Sequence, residues 1–151
     1  MDDRFLGGSQ NKVDGKGRVS IPVKFRRVLQ NCDPQYSPGG QPRLYIVYGD
    51  PRKNYLECLS GAEFDRIDAM IQAQQPGTRL HQALTGIYYN ACDAILLDDS
   101  GRLVLSQDAR DKIQLDDEAR FEGHGTKFHI LRPEAKAKAD EDLGALLDEL
   151  A

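Results

Sequence analysis

The stretch DGKGRVSIP at residues 14–22 decides the fold, because it returns as DDSGRLVLS at residues 98–106. Asp14, Gly17 and Arg18 stand over Asp98, Gly101 and Arg102, and Ser20-Ile21-Pro22 stand over Val104-Leu105-Ser106. An Asp that opens a turn accepts backbone hydrogen bonds, and a Gly inside the turn reaches positive φ without steric cost. Each copy therefore predicts a strand, a tight turn, an arginine, a return strand and a helix start. Period-two alternation sends Val19 and Ile21 inward, with Leu103 and Leu105 as their counterparts, and leaves the arginines on the polar side. A repeat of this kind sets the architecture of the whole chain.

Working outward, Phe5–Val13 predicts the strand entering the first turn, paired as a hairpin with the return strand Arg18–Ile21. Pro22 suits a first helical turn, and Phe25, Val28 and Leu29 follow at i, i+3, i+4. Lys24, Arg26 and Arg27 fall off that stripe, near the Arg18 end of the hairpin. The Pro/Gly-rich residues 33–43 read as a loop, followed by strands Leu44–Tyr48 and Tyr55–Leu59. Ser60 with Glu63 forms a capping-box signature for a helix carrying Phe64, Ile67 and Ile71, which Pro76-Gly77 stops. Leu80, Leu84, Ile87 and Tyr88 support a further helix.

The second copy runs the same course, with Ala94–Leu97 as entry strand and Ala109 and Ile113 in the places of Phe25 and Leu29. A hairpin Arg120–Glu122/Lys127–Leu131 follows, and then a helix opened by Pro133 with Leu143, Leu146, Leu147 and Leu150 on one stripe. The copies are offset by 84 residues at Arg18/Arg102 and by 72 at Leu59/Leu131, a surplus of twelve in the first copy that fits the 33–43 loop. The expectation is an α+β chain of two halves, residues 1–76 and 77–151, that share one core as an intrachain pseudo-dimer.

Composition narrows the function. The 151-residue chain carries a net charge of −4, unevenly spread. Residues 1–30 hold seven basic and three acidic side chains, whereas residues 81–151 hold eight basic and fifteen acidic ones. One end is thus suited to a polyanion and the other is acidic. The opening MDDRFLGGSQ does not resemble a secretory signal, and no apolar run is long enough to span a membrane, so a cytoplasmic location is expected. Cys32, Cys58 and Cys92 form no C-x-x-C pair and read as buried free thiols. His81, His124 and His129 are scattered, Asp98-Asp99 and Asp116-Asp117-Glu118 suit solvated turns or helix starts, and no phosphate-binding glycine motif occurs. No catalytic residue, metal or cofactor is expected, and the chain is read as not an enzyme.

The duplicated Asp-x-x-x-Arg carries the functional signal. A hairpin device explains Asp and Gly in both copies, but not an arginine on the polar side of both return strands. Arginine there can contact phosphate or guanine edges bidentately, and Lys12, Lys16, Lys24, Arg26 and Arg27 would supply phosphate contacts. On the double D-x-x-x-R motif, the SIP-x-x-F-R continuation at Ser20–Arg26 and the overall length, the chain resembles the MraZ family of bacterial transcriptional regulators.

That resemblance implies two tandem AbrB-like swapped-hairpin β-barrel halves. It also implies a DNA-contacting motif of Asp14, Arg18, Asp98 and Arg102. The implied partners are double-stranded DNA and other copies of the chain. Together they would form a homo-oligomeric ring on short direct repeats in the promoter of the division and cell-wall gene cluster, within the nucleoid. In the second copy Ser106 replaces Pro22, and Gln107-Asp108-Ala109-Arg110 replaces Val23-Lys24-Phe25-Arg26. DNA contact is therefore expected mainly from the first copy. The alternative reading is a scaffold or protein-interaction adaptor built on the same barrel.

Overall fold

The structure is a computed structural model and describes residues 2–151. Chain order is β1 (Gly8–Lys12), β2 (Arg18–Ser20), α1 (Val23–Asn31), β3 (Arg43–Val47), β4 (Leu56–Ser60), α2 (Gly61–Gln72) and α3 (Arg79–Thr85). A π-helical turn, Gly86–Asn90, leads into β5 (Cys92–Leu96), β6 (Arg102–Val104), α4 (Gln107–Lys112), β7 (Glu118–Gly123), β8 (Lys127–Leu131) and α5 (Ala135–Leu150). The class is α+β, with antiparallel pairing throughout.

The expected hairpin between β1 and β2 does not form as a ladder. Asp14 N–H still donates to the Arg18 carbonyl and closes the turn. Beyond it the two strands share only the Val13–Val19 bridge and a side-chain bond from Asn11 Nδ2 to the Ser20 carbonyl at 2.6 Å among the described residues. Instead β1 pairs with β7 and β2 with β6, so strands from before and after residue 77 are interleaved. The larger sheet runs β1-β7-β8-β4-β3-β5, an order that is unchanged when the two copies are exchanged. At its centre Glu57 pairs with His129, two residues 72 apart in sequence and so at matching places in the two copies.

The sheet register also divides the twelve-residue surplus. Tyr45 and Arg120 occupy matching positions 75 apart, through their partners Ala94 and Gln10. Nine extra residues therefore precede β3, and three lie in the β3–β4 connection rather than all in the first loop.

One core serves both copies. Val19, Ile21, Phe25 and Leu29 pack in the same buried cluster as Leu103, Leu105, Ala109 and Ile113. Phe5, Phe25 and Phe128 form its aromatic centre with ring centroids 5.0–5.4 Å apart. Burial of such side chains is worth roughly 1.5–3 kcal/mol each, and each copy supplies about half of those that cover the other. A second cluster lies under α2 and the following helical segment, where Ile67 and Ile71 meet Val47, Leu59, Leu84 and Ile87. As the capping box predicts, the Ser60 hydroxyl accepts the Glu63 N–H at 3.1 Å and starts α2. In α5 only Ala135 is buried, and the leucine stripe stands exposed.

Candidate nucleic-acid interface

The two turns are built by the same bonds. Asp14 Oδ1 accepts the backbone N–H groups of Lys16 and Arg18, each at 2.9 Å, while its Oδ2 accepts Arg18 Nε at 2.6 Å. Asp98 Oδ1 likewise accepts Ser100 and Arg102 N–H at 2.9 Å, and its Oδ2 accepts Arg102 Nε at 2.9 Å. Gly17 and Gly101 take positive φ, 81° and 74°, which lets each chain reverse in four residues.

These bonds fix charge as well as shape. The Arg18 backbone N–H, then its guanidinium and the Lys16 N–H, outweigh the opposing desolvation and hold the Asp14 carboxyl down at about 2. The same set of donors lowers Asp98. With each carboxylate gripping Nε, the terminal Nη groups of both arginines have no hydrogen-bond partner among the described residues, and each arginine side chain is about two-fifths exposed. A guanidinium anchored at Nε and free at its two Nη groups is preset for end-on bidentate contact with an acceptor pair.

The register of β2 and β6 then brings the two arginines to one place. Arg18 lies opposite Val104, Ser20 opposite Arg102, and Val19 opposite Leu103. Val19 and Leu103 are buried, so the other face of this two-stranded ribbon shows Arg18, Ser20, Arg102 and Val104. The two arginines are diagonal neighbours, about 7–8 Å apart at the backbone. Cross-bonds tie the ribbon to both turns: Leu105 N–H donates to the Gly17 carbonyl at 2.8 Å, and Ile21 N–H to the Gly101 carbonyl at 3.1 Å.

Each turn is also covered by an arginine from the other copy. A Cβ on Gly101 would meet Arg26 Nη1 at 2.7 Å, and one on Gly17 would meet Arg110 Nε at 3.1 Å. Arg26 and Arg110 are themselves 84 residues apart, and in both the buried Nε lacks a hydrogen-bond partner. Sequence reasoning placed Arg26 among the candidates and passed over Arg110. The 84-residue offset marks the two as equivalents and could have found it.

The other candidates disperse. Lys12 ends β1 and Lys16 lies in the first turn, both exposed beside Arg18. Lys24 and Arg27 do not lie near Arg18 as expected, because by residue 24 the chain has travelled back along β1. Lys24 Nζ sits over Gly7, and Arg27 lines a hollow with Arg4, Leu6 and Val28. Gly7 and Val13 are separated by six residues of extended chain, about 20 Å.

Relatives place this geometry in a family. The chain is 44% identical to a protein named "Transcriptional regulator MraZ" from Ruegeria sp. (strain TM1040), over 99% of this chain and 90% of the relative. It is 43% identical to the protein of the same name from Ruegeria pomeroyi, over 99% of this chain and 92% of the relative. The chain belongs to the MraZ family. A more distant member from Gluconobacter oxydans, also named "Transcriptional regulator MraZ", is 34% identical over 89% of the chain and 79% of the relative. No family model matches the chain.

Within this MraZ-family chain, Ser106 accounts for its own departure from Pro22. Both residues are helix N-caps in extended backbone, but the Ser106 hydroxyl also accepts Ala109 N–H at 3.2 Å and donates to Asp93 at 2.6 Å. The histidines assemble no ligand set. His129 stacks between Tyr55 and His124, ring centroids 3.9 Å from each, and burial, then the charges of His124, Lys127 and Lys53, push it down to about 3. Among the described residues, no three His, Cys, Asp or Glu side chains gather for a metal, and no helix is long and apolar enough to cross a membrane.

Proposed function

We propose that the protein is a sequence-specific DNA-binding transcriptional regulator without enzymatic activity, acting in the cytoplasm at the nucleoid. The observation that carries this reading is the two-stranded ribbon with Arg18 and Arg102 on one outer face, each held at Nε by its own aspartate. A ribbon of this width fits the major groove, where an arginine bidentate to guanine O6 and N7 is the commonest specific contact. Asp14 and Asp98 act as positioning residues. Lys12, Lys16, Arg26 and Arg110 surround the two turns and would take phosphates, while Lys24 and Arg27 lie outside that patch. The names of the relatives support regulation of transcription.

In this reading residues 1–76 and 77–151 are two AbrB-type, swapped-hairpin repeats that jointly make one reading head. One head offers few cations, so useful affinity calls for several heads on a homo-oligomeric ring, engaging tandem direct repeats in the promoter of the division and cell-wall gene cluster. The exposed leucine stripe of α5 favours a second reading, a scaffold that binds other proteins. A salt-titrated shift assay with DNA from upstream of the chain's own gene separates them. The regulator predicts affinity that falls steeply with salt, and the scaffold predicts no specific shift.

A further inference from the structure

Two exposed features of the chain are unmatched within it. The first is α5. Its first turns stay beside the sheet, with Lys136 paired to Glu122 at 3.4 Å and Lys138, Ala139 and Asp142 facing Tyr55 and His129 across a hollow. Beyond them Leu143, Leu146, Leu147 and Leu150 are each at least half exposed at i, i+3, i+4, i+7 spacing. Residues 139–151 hold five acidic side chains and no basic one. Asp140 and Asp142 pair with Lys136 and Lys138, but Asp148 and Glu149 have no ion pair among the described residues. A helix with one apolar stripe and no neighbour to bury it against is a docking element.

The second is the hollow beside β1. Its floor is Leu6 and Val28, and its rim is Arg4, Lys24, Arg27 and Asp2. Asp2 is spent on Arg4, while Lys24 and Arg27 have no ion pair among the described residues. Leu6 is nearly half exposed, and Val23 on the same helix as Lys24 is two-thirds exposed. An apolar floor with an unpaired basic rim has the opposite character to an acidic helix with a leucine stripe.

We infer that the last turns of α5, Leu146 to Leu150 with Asp148 and Glu149, seat in the Leu6–Val28 hollow of a second copy of this chain. The leucines cover Leu6 and the rim cations face the unpaired carboxylates. Because the two surfaces differ, the contact is heterologous: each copy offers one helix and one hollow, so copies join head to tail until the assembly closes. This rests on the self-association proposed above and assigns its interface. It also gives Lys24 and Arg27 a role about 20 Å along β1 from the ribbon turn, leaving the arginine face free for DNA.

The test is the native mass of the full chain across a concentration series, with a thermal midpoint on each variant to show that it is folded. Asp148→Lys/Glu149→Lys reverses the helix and Lys24→Glu/Arg27→Glu reverses the hollow. Each variant alone is expected to fall to a smaller species, with at least tenfold weaker assembly. An equimolar mixture of the two should recover the parent mass, since every junction in an alternating assembly is then matched. A hollow variant that assembles like the parent would overturn the assignment, because α5 would then be pairing with another α5 or folding onto its own chain. A helix variant that assembles like the parent would overturn it equally. A parent chain that stays monomeric at all concentrations would instead defeat the self-association reading itself.

Discussion

The Asp14–Arg18 and Asp98–Arg102 turns share every backbone bond and both aspartate–arginine pairs, yet their surroundings differ. The first has Lys12 and Lys16 beside it, and the second has Asp99, which accepts Gln41 Nε2 at 3.1 Å. Read along the chain, that contrast makes the first copy the binding copy. In space the contrast weakens, because Arg26 of the first copy covers the second turn and Arg110 of the second covers the first. What is local in sequence, the turn, is therefore duplicated faithfully, whereas the cationic surface is assembled across copies and belongs to neither.

The largest expected effect concerns the glycines. A Cβ at Gly17 would stand 2.5 Å from the Leu105 carbonyl, a backbone atom that cannot move away, whereas at Gly101 the three nearest atoms all belong to the flexible Arg26 side chain. Gly17→Ala should therefore cost about 2–4 kcal/mol in denaturant unfolding, and Gly101→Ala about 1–2 kcal/mol, most of it from the positive φ. Equal costs would mean that the two turns are packed alike.

A second contrast lies on the exchange centre of the sheet, where the first copy has Glu57 and the second His129. The folded state holds His129 near 3, below the ordinary value of 6.5, so between those limits the unfolded chain takes up a proton that the folded chain refuses. Stability should fall by about 1–2 kcal/mol as pH drops from 6.5 to 5, and His129→Gln should flatten that slope in pH-dependent unfolding. An unchanged slope would place the protonation elsewhere.

The helix starts offer a third. Ser106→Ala removes a hydroxyl that caps α4 and serves Asp93, at a cost of about 1–2 kcal/mol in stability. Pro22→Ala, at the matching cap with no side-chain bond, should cost less than about 1 kcal/mol. Finally, Arg26→Ala and Arg110→Ala should each lower the salt slope of DNA binding by about one, whichever copy they come from. If only Arg26→Ala does so, the first copy carries the phosphate contacts alone.

Much of this was readable in the chain. The turns, the buried Val19/Ile21 and Leu103/Leu105 faces, the Phe25–Val28–Leu29 stripe and the Ser60 cap all follow from local periodicity and turn chemistry. Pairing was not readable. A return strand of three residues can bond to its own entry strand or to its twin, and the sequence of Arg18–Ser20 is the same for either. The choice is made by the shared core, in which Val19 and Leu103 become directly opposed. The position of Lys24 and the cover that Arg110 provides depend on that choice, so both escaped a reading made one copy at a time.

The central claim is that the ribbon is one reading head with an arginine from each copy. Its most direct test compares Arg18→Ala and Arg102→Ala for binding to the upstream DNA of the chain's own gene, at fixed salt and with native mass checked. A bidentate contact is worth about 1–3 kcal/mol, so each variant should lose roughly 5- to 150-fold in specific affinity while retaining non-specific binding. Full affinity in Arg102→Ala beside a large loss in Arg18→Ala would contradict the shared head and return DNA reading to the first copy alone.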